Sequence, residues 1–269
     1  MCLAILALGA HPDWPLVIAA NRDEFHHRPA SPAAPWSDAP DIVAGRDLQG
    51  GGTWLGVAGG GRLALLTNVR EPGRQLPAAP SRGRLVEDYL RGSLSAADYA
   101  GQFNVNADEF NGFNLLVADL DGVHYCSNRA LTRRLPSTGG VFGLSNAALD
   151  TPWPKLTRSR AAVAALLSTS AQPEPEALFA ILGDRTPPED GLLPDTGVGL
   201  QLERLLGSPF IQSETYGTRC STLVLQHRSG RVEFRERCYR PTGEVQGESV
   251  WTRALGTTSA KAAGGSGWV

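Results

Sequence analysis

The sequence predicts an α+β fold whose sheets are largely antiparallel, and three observations lead to that prediction. Short apolar segments are joined by tight turns, as in antiparallel hairpins. The helical segments are grouped between these hairpins, whereas a doubly wound parallel sheet would alternate helices with single strands. The strand segments carry apolar residues on both faces, which a sheet covered on both sides requires.

The first predicted element is a hairpin. Its strands are CLAILALG and LVIAANRDEF, which are separated by the turn AHPDWP. The next segment, HHRPASPAAPWSDAPD, is rich in proline and predicts a loop. The glycine-rich segment after it predicts a second hairpin, with strands TWLGVA and RLALLTN.

Helices and hairpins follow one another through the rest of the chain. SRGRLVEDYL and SAADYAGQF predict two helices, and FNLLVAD, LDG and VHYCSNR predict a third hairpin. GVFGLSN predicts a strand, and PWPKLTRSRAAVAALLS and PEALFAILGD predict two more helices. After a loop, TRCSTLVLQ and VEFRERCY predict the last hairpin. We therefore expect one domain over residues 1–255 and a flexible tail over residues 256–269.

Composition excludes several classes of protein. The chain has 269 residues and a net charge of -2, so no basic surface for nucleic acid is expected. No apolar run reaches the roughly 18 residues of a membrane span, and LAILALGA has no basic residue before it, unlike a signal peptide. We expect a cytoplasmic protein without a membrane span. The histidines lack metal-ligand spacing, so no metal site and no required cofactor are predicted.

Cys2 follows the initiator methionine, which is removed when the next residue is small. The residue would then carry both a thiol and a free α-amine, a nucleophile with a built-in base. A four-residue loop HPDW in the first hairpin would place Asp23 opposite Cys2, with Asn21 on the same face. A register shift of one residue would present Arg22 and Glu24 instead, and both registers remain open.

The polar segment NRDE fits chemistry at Cys2. A free thiol has a pKa of about 8.5, which a cation such as Arg22 lowers. The α-amine, with a pKa of about 7.7 to 8.0, is suited to act as a base, and Asp23 would orient it. The alternative interpretation is that Cys2 is a small core residue and NRDE a solvated strand end.

Seven sequence blocks resemble the NRDE family, the group that includes the Transport and Golgi organisation 2 proteins. They are MC, VIAANRDEFHHRP, GGTWLGV, LTN, NGFNLLVAD, GLSNAALDTPWPKL and YGTRCSTLVL, which run from Met1 to about Gln226. The resemblance implies an αββα sandwich of the N-terminal-nucleophile hydrolase kind. The family has been linked to lipid metabolism and haem trafficking.

Within that superfamily, the chain is most similar to the cysteine branch, which holds the choloylglycine hydrolase and acid ceramidase relatives. Their N-terminal cysteine attacks an amide carbonyl, two Asn hold the oxyanion and a later Arg completes the site. Cys2, Asn68, Asn146 and Arg219 match these residues. The relatives separate the Arg and Asp of the second strand by two residues, whereas Arg22 and Asp23 are adjacent. The resemblance therefore leaves the roles of the NRDE residues open.

The predicted catalytic residues are Cys2, Arg22, Asp23, Asn68, Asn146 and Arg219, and the predicted substrate-binding residues are Asn21, Glu24, Trp54 and Thr67. Singly, Asn68 and Asn146 are also typical turn residues. The predicted function is hydrolysis of an amide or thioester bond in an apolar-tailed small molecule. The alternatives are a carrier of haem or of an acyl-CoA or lipid ligand, with His26 and His27 as candidate haem ligands, and a structural protein that kept the fold.

Overall fold

Two antiparallel sheets form the centre of the protein. The computed structural model describes residues 2–102, 107–255 and 267–268. Their strands are β1 (Cys2–Leu8), β2 (Leu16–Phe25), β3 (Ala30–Trp36), β4 (Ala39–Asp47), β5 (Leu55–Ala58), β6 (Arg62–Asn68), β7 (Phe113–Asp119), β8 (Gly122–Ser127), β9 (Arg133–Arg134), β10 (Gly140–Leu144), β11 (Tyr216–Gln226), β12 (Arg231–Tyr239) and β13 (Val245–Ala254). One sheet has the order β10-β1-β2-β11-β12-β13, and the other runs in sequence from β3 to β9.

Helices cover the outer face of each sheet. They are α1 (Gly83–Arg91), α2 (Ala96–Gln102), α3 (Pro154–Thr169), α4 (Pro175–Leu182) and α5 (Leu200–Leu205). The apolar faces of α1 and α2 pack on the second sheet, and those of α3 and α4 pack on the first. The layers are therefore αββα. This order confirms the predicted α+β class and the sandwich implied by the resemblance.

β1 shows why the strands are apolar on both faces. Ala4, Leu6 and Leu8 lie in the core between the two sheets, whereas Leu3, Ile5 and Ala7 pack under the helices on the other side. A strand with both faces covered cannot alternate apolar with polar residues. The run CLAILAL is thus explained by its central place in a four-layer fold.

The first hairpin adopts the register in which Cys2 pairs with Arg22 rather than with Asp23. The predicted four-residue loop is wrong, because Gly9 and Pro15 close a five-residue loop with a hydrogen bond of 2.8 Å from Gly9 N to Pro15 O. Gly9 has a φ of +59°, which residues other than glycine rarely adopt. The register change puts Arg22 on the face towards the second sheet and turns Asp23 towards the helices.

Two other predictions need correction. The proline-rich segment after β2 is not a loop, since it contains β3 and the beginning of β4. Pro32 and Pro35 are tolerated there because β3 is the edge strand of its sheet. The edge strand β13 and the short helix α5 were not predicted.

The chain's end and its helices bear on two further expectations. Residues 256–266 and 269 of the predicted tail lie outside the described residues, so its flexibility stays a prediction. Trp268 Nε1 donates a hydrogen bond of 2.9 Å to Asp41 O in β4.

Within the described ranges, no helix has the length and apolar character needed to cross a membrane.

Candidate active site

Strand pairing places five residues in one row across the first sheet. Cys2 pairs with Arg22, Arg22 with Cys220, Cys220 with Cys238, and Cys238 with Gly247. We call these five residues the cysteine row. Neighbouring strands lie about 4.8 Å apart, so the row brings the backbone of Cys2 one strand spacing from Arg22.

Arg22 is the central side chain of the site. It is 6% exposed, and its guanidinium lies over the Trp54 ring at 4.2 Å. Asp47 approaches it at 3.6 Å, but the nearer partner of Asp47 is Arg28, whose Nε lies 2.8 Å away. Among the described residues, nothing accepts a hydrogen bond from the Arg22 guanidinium, and the buried Trp54 Nε1 also lacks an acceptor there. Both groups therefore offer hydrogen-bond donors to a ligand.

Two cavities lie on either side of the stacked Arg22 and Trp54. The first, of about 480 Å³, we call the polar cavity. It is lined by Glu24, Arg28, Asp47, Asn68 and Arg82 and by the connection over residues 77–83. The second, of about 430 Å³, we call the thiol cavity. Its lining includes Pro32, Arg219, Cys220, Cys238 and Gly247.

The two predicted oxyanion asparagines are brought together. Asn68 ends β6 and lines the polar cavity. Asn146 Nδ2 donates to Asn68 O at 2.9 Å, while Asn146 O accepts from Arg70 N at 2.7 Å. Because its amide holds the Asn68 backbone, Asn146 positions Asn68. Thr67 is fully buried, and its hydroxyl accepts from Asn114 Nδ2 at 3.1 Å.

Arg219 lines the thiol cavity together with Arg22 and lies at a bulge in β11. The strand register shifts between Thr218 and Cys220, so Arg219 is the extra residue, and bulges often re-aim a side chain in this way. Its Nη1 donates to Phe25 O at 2.9 Å and to Arg28 O at 3.0 Å. Burial and the charge of Arg22 lower the pKa of Arg219. Two cations therefore stand at the same end of the thiol cavity.

Asn21 and Asp23 face the helical layer behind the row. Asn21 Nδ2 donates to Leu182 O and Pro209 O, both at 2.9 Å, which fastens β2 to that layer. Asp23 accepts from Thr218 Oγ1 at 2.7 Å. Burial raises the pKa of the Asp23 carboxyl, and the charge of Lys155 opposes this rise. Arg22 and Asp23 extend from opposite faces of β2, yet both residues line the polar cavity together with Glu24, and the charges of the N-terminus and of Arg22 also act on the Asp23 carboxyl.

Sequence reasoning missed three buried charged side chains near the site. Lys155, in the first turn of α3, is 2% exposed. Arg70 and Glu203 form a buried ion pair at 2.6 Å. Their positions in the sequence could have identified Arg70 and Lys155 as candidates. Arg70 comes two residues after LTN, and Lys155 lies in the matched block GLSNAALDTPWPKL. Charge type alone did not show that these side chains are buried.

The two adjacent histidines differ in their contacts. His26 Nε2 lies 3.0 Å from Ser213 O, and the His27 ring packs at 5.4 Å from the Phe25 ring. Among the residues that the structure describes, no three His, Cys, Asp or Glu side chains are grouped as metal ligands would be.

The thiol environments lead to a prediction about alkylation. Burial raises the pKa of Cys126 and of Cys238 to about 12, and that of Cys220 well above its usual range. Because the thiolate is the reactive form, these three react slowly near neutral pH. We expect iodoacetamide at pH 7 to label Cys2 first, as mapped by peptide mass. The urea-unfolded protein, which should label at all four positions, is the control. Equal labelling of the folded protein, or Cys238 reacting first, would contradict the expectation.

Comparison with solved structures finds the same fold. The crystal structure of the mutant C2A of conjugated bile acid hydrolase from Clostridium perfringens matches with a TM-score of 0.50 and 9% sequence identity. The match covers 93% of this chain and 92% of that chain. The two chains therefore share the same overall fold.

Sequence comparison shows the family. The Transport and Golgi organization 2 homolog of Mus musculus is 34% identical over 256 residues, which are 88% of this chain and 92% of the mouse protein. The Drosophila melanogaster protein is 25% identical over 264 residues, with 88% and 91% covered. Residues 1–241 also match the family described as Transport and Golgi organisation 2. The chain therefore belongs to the Transport and Golgi organisation 2 family.

Proposed function

We propose that the protein is a hydrolase that uses Cys2, exposed by removal of Met1, to cleave an amide or thioester bond. The observation that carries this proposal is the state of Arg22. It is buried, has no hydrogen-bond acceptor among the described residues and pairs directly with Cys2 in the sheet. Asp47 balances its charge at 3.6 Å but lies beyond hydrogen-bond distance, and Arg22 borders both cavities, so its N–H groups can bind a ligand or a reacting group.

The chemistry follows from the groups around Cys2. The α-amine takes the thiol proton, and the positive charge of Arg22 favours the thiolate. The sulfur forms a bond to the substrate carbonyl carbon, and the amine or thiol of the substrate leaves with the proton. Water then attacks the acyl-enzyme, which releases a carboxylic acid and restores the thiol.

The developing oxyanion needs hydrogen-bond donors, and one such donor is worth about 3 kcal/mol. Asn68 at the wall of the polar cavity is the proposed donor, and Asn146 holds it in place through its bond to Asn68 O. Arg219 adds positive charge on the other side of Arg22. Asp23 lies on the opposite face of β2, where it accepts a hydrogen bond from Thr218. Burial raises the pKa of its carboxyl, and the charge of Lys155 lowers it.

The likeness in fold supports the position of the nucleophile. The matching solved structure is that of a conjugated bile acid hydrolase carrying the substitution C2A. This chain also has a cysteine as its second residue, at the start of β1. Glu24 and Trp54 keep their proposed roles in substrate binding because they line the cavities. For Asn21 and Thr67, whose side chains are engaged within the protein, we propose support of the site instead.

A carrier function is the second candidate, and one observation favours it. Arg22 and Asp23 lie on opposite faces of β2, and the Asp23 carboxylate already accepts a hydrogen bond from Thr218 Oγ1 at 2.7 Å. In this case the two cavities hold a haem or acyl-CoA-like ligand without turnover.

Turnover of a substrate panel separates the two candidates. We expect the purified protein to release free acid from at least one acyl amide or acyl thioester of a simple apolar chain, measured by mass spectrometry of the products. Release of no acid from any member of a broad panel, combined with binding of the same compounds, would favour the carrier.

A further inference from the structure

The thiol cavity continues the cysteine row away from Cys2. Cys220, Cys238 and Gly247 follow Arg22 in pairing order and line the floor of the cavity. Three strand spacings separate Arg22 from Gly247, which is about 14 Å, or the length of an extended chain of roughly ten carbon atoms. The cavity is therefore a slot that starts beside the proposed nucleophile and runs across the sheet.

Charge is distributed unevenly along this slot. Arg22 and Arg219 stand at the end near Cys2, and among the described residues Arg219 uses only Nη1, for two backbone carbonyls. Farther along, the floor consists of two thiols whose pKa is raised by burial, so they are neutral near pH 7. Pro32 lies in the wall.

The two acidic residues of the slot are already engaged. Glu236 accepts from Ala33 N at 2.7 Å and from Thr222 Oγ1 at 3.3 Å, and burial raises the pKa of its carboxyl. Glu248 is held by Arg237 at 2.7 Å. Among the described residues neither carboxylate forms an ion pair with Arg22 or Arg219, although the charge of Arg22 acts on Glu236.

We propose that the thiol cavity binds the acyl half of the substrate and, after hydrolysis, the straight-chain monocarboxylic acid that forms it. The carboxylate lies between Arg22, Arg219 and the Trp54 N–H, and the chain runs over Cys220 and Cys238 towards Gly247. The leaving group then occupies the polar cavity. The assignment of the two halves rests on the proposed function, but binding of the acid is measurable without turnover.

A monocarboxylate fits better than a phosphate. The planar guanidinium matches both oxyanions. However, Asp47 already lies 3.6 Å from Arg22, and Glu236 and Glu248 line the same cavity. A dianion would add like-charge repulsion that a single carboxylate largely avoids.

The test measures binding of hexanoate, decanoate and decanamide by calorimetry to the full chain at pH 7. We expect decanoate to bind at least about tenfold more tightly than decanamide, because a charged hydrogen bond to a buried cation is replaced by a neutral one. Arg219→Gln should weaken decanoate by about tenfold and leave decanamide nearly unchanged. A loss shared equally by acid and amide would instead mean that Arg219 only supports the fold, and the proposal would fail.

Gly247 provides the test of chain length. A Cβ at this position meets no atom within 4 Å, so a large side chain can be placed there without a backbone clash. Gly247→Trp should weaken decanoate by about tenfold or more and change hexanoate little, because the added ring fills only the far end of the slot. The matched control is Val250→Trp on the same strand, where Val250 pairs with Arg235 on the opposite face and is 42% exposed.

The possible outcomes distinguish failure of the proposed acyl slot from failure of the proposed hydrolase function. Acid binding with the expected dependence on chain length, but without turnover in any panel, supports the slot and contradicts the hydrolase. Turnover without a preference for decanoate over decanamide, or with no effect of Gly247→Trp on decanoate, overturns the slot while leaving the hydrolase intact.

Discussion

Replacing Cys2 with alanine should abolish release of free acid from every acyl substrate that the wild-type protein cleaves. The substitution removes the sulfur that forms the acyl-enzyme, and no other described group can replace it, because the remaining three thiols have raised pKa values. The folded state should lose only about 1 kcal/mol, since alanine is also small. Substrate affinity should stay near the wild-type value because the cavities are intact. Product release, affinity and melting temperature are measured on both proteins.

Two results would contradict this expectation. Equal turnover in wild type and Cys2→Ala would show that Cys2 is not the nucleophile. Failure of the variant to fold would mean that Cys2 is a structural residue. Val250→Trp, far from Cys2 on β13, is the control for nonspecific effects of substitution.

Replacing Glu203 with glutamine should destabilise the protein by about 3 kcal/mol, since removal of one partner leaves a buried charge without compensation. Glu203 and Arg70 are 3% and 5% exposed at the side chain, and their ion pair measures 2.6 Å. Glu203 also accepts two hydrogen bonds from Thr196, at 2.6 and 2.9 Å. Urea unfolding followed by circular dichroism gives the free energy of unfolding.

The neighbouring ion pair on the same helix is the control. Arg204 and Asp190 form a bridge whose side chains are each 51% exposed. Asp190→Asn should leave the unfolding midpoint unchanged, as expected for solvated pairs. A midpoint for Glu203→Gln equal to that of Asp190→Asn would show that the buried pair does not stabilise the fold. Arg70 N donates to Asn146 O, and Asn146 Nδ2 donates to Asn68 O, so loss of this ion pair should also shift Asn68.

The hairpins and helices could be predicted because they depend on local pattern. The runs CLAILALG and LVIAANRDEF identified β1 and β2, and turn residues identified their connection. The register could not be predicted, since it depends on the left-handed conformation of Gly9 and the hydrogen bond to Pro15. A loop of four residues and one of five are equally compatible with AHPDWP, although they turn opposite faces of β2 towards Cys2.

Segments at the edges of the sheets were harder to predict. β3 contains two prolines, which usually exclude a strand, but an edge strand needs only one of its sides for pairing. β13 has a mixed polar sequence because most of it is exposed. Neither segment carries the apolar run from which the central strands were recognised.

The sequence blocks named residues that the fold brings near one another, whereas the contacts made by tertiary packing could not be read from them. Arg22, Asn68, Asn146 and Arg219 were named from sequence, and the structure places all four around one end of the sandwich. The positions of these side chains relative to one another depend on the β11 bulge, on the hydrogen bond from Asn146 to Asn68 and on the register of the first hairpin. The expected pairing of Cys2 with Asp23 is wrong, because Cys2 pairs with Arg22 and the Asp23 carboxylate accepts from Thr218.

The central claim is that Cys2 is the N-terminal residue and becomes acylated during turnover. Intact-mass spectrometry of the purified protein, before and after rapid mixing with an acyl thioester, tests it most directly. We expect the first spectrum to lack Met1 and the second to show the mass of one added acyl group, which peptide mapping places on Cys2. A mature chain that retains Met1, or an adduct on Cys126, Cys220 or Cys238 in place of Cys2, would contradict the account.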